Sequence, residues 1–92
     1  MIKAFLLSLS LLMITPPPVA FTKCENRATI IVDVNPNWLC RKELGGDAGN
    51  GKIFLACYVP RTNVIIMPRN DGGKWWQELL AHERAHECGW RH

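Results

Sequence analysis

Hydrophobic and polar positions divide the chain into stretches of different period. Residues 4–14 (AFLLSLSLLMI) form an apolar run broken only by serines, and Pro16, Pro17 and Pro18 follow it. Residues 28–34 (ATIIVDV) are rich in β-branched side chains and predict a strand, ended by Asn35 and Pro36. Residues 38–44 are ambiguous and suggest at most a short helical turn. Residues 45–51 (GGDAGNG) predict a loop. Residues 52–59 (KIFLACYV) and 62–67 (TNVIIM) predict two more strands, each closed by a proline. Pro60 and Arg61 would join them as an antiparallel hairpin. Asn70 or Asp71 offers an N-cap. From Lys74 to Cys88 no glycine or proline interrupts a run of good helix formers, and Gly89 supplies the stop. The expected fold is a small α+β domain: about three antiparallel strands, then a C-terminal helix.

Length changes this picture first. The chain has 92 residues, enough for one domain. Its first residues carry Lys3, then the apolar run, then the prolines and the small residue Ala20. That order predicts a secretory signal peptide over residues 1–20, with the domain spanning 21–92. The run is too short for a bilayer span, which needs about 20 residues. An uncleaved N-terminal anchor is the alternative. The expected destination is outside the cytoplasm, periplasmic or secreted, with no stable membrane insertion after cleavage. About 70 residues then remain, a size at which hydrophobic burial alone is marginal.

Cysteines supply one remedy. Cys24, Cys40, Cys57 and Cys88 are an even number in a short exported chain, so two disulfides are expected. Three pairings are possible. No Cys-x-x-Cys pair exists to suggest a zinc ribbon or a thioredoxin-like site. Net charge is +3, or +2 without Lys3, with no basic cluster, so nucleic acid is not an expected partner. Residues 46–52 (GDAGNGK) mimic a phosphate-binding loop, but Ile53 replaces the hydroxyl residue and a strand-like segment follows instead of a helix.

The chemistry lies at the other end. His82, Glu83, Arg84, Ala85 and His86 spell H-E-x-x-H within the predicted helix. Residues i and i+4 sit about 40° apart on a helix, so two imidazoles there can reach one metal ion. Glu83 is rotated about 100° from His82. That offset suits a general base acting on a zinc-bound water better than a ligand. Gly89 lets the chain turn back, bringing His92 round as a third ligand. Three histidines leave the fourth tetrahedral position open. All three histidines of the chain lie in this run.

The run HERAHECGWRH matches H-E-x-x-H-x-x-G-x-x-H at every fixed position. It resembles the zinc motif of the metzincin metallopeptidases. It is also similar to the His/Gly/Trp/His segment that closes small exported proteins of bacteria and their phages. The resemblance covers residues 75–92. It implies zinc held by His82, His86 and His92, with Glu83 as the general base. The departures are specific. Metzincins continue past the third histidine into a methionine-containing turn, whereas the sequence stops at His92 and Met67 precedes the helix. Metzincin domains are also much larger. The α-carboxylate of His92, beside the third ligand, would close the open position if it bound the same ion.

The expected function is therefore zinc-dependent hydrolysis of a peptide or amide bond, with a peptide or cell-wall substrate. The alternative is a zinc-stabilised binding or structural module without catalysis. Among supporting residues, the tryptophans are expected in the core, with Trp90 as a pocket wall. Cys88 should point away from the histidines, into a disulfide. Glu78 or Glu87 are candidates to orient a histidine. Tyr58, Arg84 and Arg91 are candidates to stabilise a transition state.

Overall fold

The computed structural model describes residues 14–49 and 51–92. Most of the apolar run beginning at Ala4 lies outside the described residues. Two helices sandwich a three-stranded sheet. Strand β1 is Thr29–Val32, helix α1 Pro36–Leu44, β2 Cys57–Val59, β3 Val64–Met67 and helix α2 Lys74–Glu87. A 3-10 turn, Val19–Phe21, precedes β1.

The sheet order is β1-β3-β2. Strand β3 lies in the centre, and its run VIIM is apolar on both faces because both faces are covered. Ile65 and Met67 face one way, into a cluster with Ala56, Trp76 and Leu79 beneath α2. Ile66 faces the other way, into a cluster with Cys40, Cys57 and Val59 beneath α1. Ile65, Ile66 and Met67 are essentially solvent-free. Each such side chain contributes about 1.5–3 kcal/mol of burial. Trp76 donates its indole N–H to the Pro68 carbonyl at 2.8 Å, which fixes the chain's entry into α2.

The α+β class and the three strands agree with expectation, but the sheet is mixed. Strand β1 pairs parallel with β3, Thr29 opposite Val64, while β2 pairs antiparallel with β3. The ambiguous stretch after Asn35 is the cause. It is a full helix, started by the Asn35 side chain accepting from the Trp38 N–H at 3.1 Å and by proline in the first turn. That helix carries the chain across the sheet, which permits parallel pairing. Strand β2 is shorter than expected. Residues 52–56 leave the sheet, and the Phe54 N–H goes to the Asn37 side chain at 2.8 Å. The hairpin spans residues 60–63, not two residues, with Asn63 at φ 54. Tyr58 donates its hydroxyl to the Asn63 side chain at 2.9 Å across that turn.

Neither Asn70 nor Asp71 caps α2. Their side chains accept from the Gly72 and Gly73 N–H groups instead, and Gly73 becomes the N-cap. The cysteines pair as Cys24–Cys88 and Cys40–Cys57. The second bridge staples α1 to β2 inside the core. The first ties the segment before β1 to the end of α2. Two disulfides suggest an oxidising, extracytoplasmic location. Among the described residues no helix is long and apolar enough to cross a membrane.

Candidate metal centre

The C-terminal half of α2 and the tail behind it build the site. Its key local feature is the helix stop. The Trp90 N–H bonds the Ala85 carbonyl and the Gly89 N–H bonds the His86 carbonyl, both at 3.0 Å. This pair of bonds is a Schellman turn, and Gly89 supplies its left-handed residue at φ 102. Open space surrounds the position where a Cβ would sit, so backbone conformation, not crowding, favours glycine there. The turn reverses the chain and returns His92 to the face that carries His82 and His86.

The three imidazoles converge through one nitrogen each. His92 Nε2 lies 3.3 Å from His82 Nε2 and 3.0 Å from His86 Nε2. Ligand atoms of all three lie within 4.8 Å of one another. Nitrogens arranged around tetrahedral zinc at about 2.0–2.1 Å are separated by about 3.3–3.4 Å, close to both separations from His92, so the cluster could hold one ion.

Tautomers agree. His82 Nδ1 donates to the Thr15 carbonyl at 2.9 Å and His86 Nδ1 donates to the Trp90 carbonyl at 2.7 Å. A carbonyl only accepts, so each Nδ1 carries the proton and each neutral ring presents a lone pair at Nε2. Burial holds His82 and His86 below the ordinary histidine pKa, which favours the neutral, ligating form. A single Nε2 proton on His92 could satisfy at most one of these lone pairs. A cation accepts all three.

Trp90 packs among the rings. It stacks on His86 at 5.0 Å and meets His82 and His92 edge-on at 4.9 and 4.8 Å. It lies against the histidine cluster, beyond the pocket-wall role expected of it.

Among the described residues Glu83 is the buried ionisable side chain, 6% exposed. It lines the same cleft of about 560 Å³ as the three histidines, with Ile53, Phe54 and Leu55 among the apolar walls. Burial lifts its carboxyl to about 7. The unfolded chain would ionise near the ordinary 4.5. Between those values Glu83 holds a proton in the folded chain that it has lost in the unfolded one. The Glu83 contribution to the stability of metal-stripped protein should therefore fall as pH rises from about 4.5 to about 7, by about 3 kcal/mol in all, and then level off, while the lowered His82 and His86 act in the opposite sense. Glu83→Gln should remove that fall. Urea unfolding in chelator at pH 4 and pH 8 measures it, and equal slopes for the two proteins would contradict it.

Other expected residues have different work. Cys88 is in its disulfide, away from the metal cluster, and its partner Cys24 precedes the sheet. Glu87 orients no histidine. Its carboxylate accepts from the Arg27 and Ala28 N–H groups at 2.6 and 2.8 Å and so anchors the chain entering β1. Glu78 faces Lys74 at 3.6 Å on the exposed side. Tyr58 reaches the cleft wall but spends its proton on Asn63. Arg91 borders an adjoining recess with Pro60 and Trp90, and Arg84 lines neither. Sequence reasoning missed the Thr15 carbonyl. Comparison with protein families, with curated proteins and with solved structures gives no match, so the site is read from its own geometry.

Proposed function

We propose that this chain is a zinc-dependent hydrolase of peptide or amide bonds. One observation carries the reading: the three histidines gather their ligand atoms within 4.8 Å of one another in the cleft that also holds the buried carboxyl of Glu83. His82, His86 and His92 would hold the ion. An all-imidazole set of three suits zinc and leaves room for substrate. When bound, zinc supplies Lewis acidity toward water and a carbonyl oxygen.

The chain's own groups supply the rest. Glu83 takes a proton from the attacking water on its carboxylate and returns it to the departing amine nitrogen. Its burial keeps it close to neutral range, where it can both accept and give a proton. Ile53 and Leu55, 65% and 39% exposed, present apolar surface at the cleft and suit a substrate with apolar side chains.

The test is hydrolysis of an unfolded protein by the zinc-loaded chain. Cleavage should stop with a chelator and return with zinc. A chain that holds zinc one-to-one yet cleaves nothing would instead be a metal-stapled binding module.

A further inference from the structure

The residues ahead of the 3-10 turn are built into the metal site. Thr15 and His82 are 67 positions apart, yet the Thr15 carbonyl takes the His82 Nδ1 proton at 2.9 Å. Ile14 packs against the core cluster of Ile65, Met67, Trp76 and Leu79. Both residues line the cleft. The contact reproduces, from the other end of the chain, what the Trp90 carbonyl does for His86.

Three features make this a held position. Pro16 follows Thr15 directly, and a residue before proline is confined to extended backbone, so the direction of the Thr15 carbonyl is restricted. Pro16, Pro17 and Pro18 have no N–H to satisfy and favour a stiff polyproline form; Pro18 sits at φ −60, ψ 146. The far end of the segment is also fastened to α2. Cys24 is bonded to Cys88, and Asn26 reaches Glu87 at 3.3 Å. The strap therefore touches α2 at His82 and again near its end. Its carbonyl meets the ring nitrogen that does not face the cluster, so it supports the ligand without occupying the metal position.

We propose that Thr15 is a positioning residue for His82, acting through its backbone carbonyl, and that the working protein retains it. Any processing then falls upstream of Thr15 instead of after Ala20. The inference rests on the metal reading above. Loss of such an outer contact typically costs about 10–100-fold in metal affinity.

The experiment is a zinc competition titration on the full chain, on the triple exchange Pro16→Gly, Pro17→Gly and Pro18→Gly, and on His82→Ala, which should bind zinc more weakly than the triple. The glycine triple should bind about tenfold more weakly. Nitrogen-15 NMR of the zinc-loaded full chain should show a protected Nδ1 proton on His82, and the triple should lose that protection while His86 keeps its own. The intact mass of the zinc-bearing product from an exporting host should include Thr15.

Equal affinity and equal His82 protection in the triple would overturn the inference while leaving the metal site standing. So would a zinc-bearing product that begins at Phe21. If the triple does not fold, the full chain still decides: a zinc-loaded His82 with no Nδ1 proton overturns the proposal. A full chain that binds no zinc ends both readings together.

Discussion

Exchanging Glu83 for glutamine should lower hydrolysis about 10²–10⁴-fold, the usual worth of a positioned general base, while zinc content stays at one per chain. The two effects separate because the carboxyl sits in the cleft beside the histidines without belonging to their cluster. Glutamine has nearly the same volume, so Trp76 and Leu79 of α2 should keep their packing on the sheet residues Ile65 and Met67. It cannot accept and release a proton near neutral pH. A cation held by three neutral imidazoles next to Glu83 would favour its ionised form, so activity should persist below the pH at which the metal-stripped carboxyl titrates. Steady-state cleavage of an unfolded protein, with metal analysis of the same samples, checks both halves. Undiminished cleavage would remove Glu83 from the chemistry.

The second large effect concerns the Cys24–Cys88 bridge. It closes a loop across 64 positions, for which chain entropy alone gives about 4 kcal/mol of stabilisation. The bridge across 17 positions between Cys40 and Cys57 gives about 3 kcal/mol by the same estimate. The longer bridge also bears on function. Cys88 is the C-cap of α2, immediately before the Gly89 turn that returns His92. A Cys24→Ser, Cys88→Ser double variant should therefore unfold at lower urea by about 4 kcal/mol and also bind zinc more weakly. Zinc should recover part of the lost stability, because an ion bound only by the folded chain favours that state. Urea titrations with and without zinc read this directly. A double variant as stable as the parent would show that the bridge is peripheral.

Local features were legible in the sequence. The spacing of His82 and His86 on a helix, and the Gly89 turn that brings back His92, follow from rules acting within a few residues. The uninterrupted run from Lys74 gave the helix, and the β-branched runs gave strand locations. What was hidden depended on distant partners or on backbone atoms. Residues 52–56 look like strand but pair with no neighbour, because Asn37 of α1 claims the Phe54 N–H. Asn70 and Asp71 carry capping side chains, but turns through Gly72 and Gly73 use them first. The parallel pairing of β1 depended on α1, whose cap and first-turn proline were present at Asn35 and Pro36. The cysteine pairing left three choices until the fold brought Cys24 to Cys88. The Thr15 carbonyl has no side-chain signature at all.

The proposed hydrolysis and the Thr15 contact both depend on one ion at one place. Metal analysis of the purified protein, with His82→Ala, His86→Ala and His92→Ala beside it, addresses that most directly. The proposed function predicts one zinc per chain in the parent, lost or strongly weakened in each of the three variants. A parent that takes up no zinc, or a one-to-one content that survives any of these exchanges unchanged, would contradict the three-histidine site.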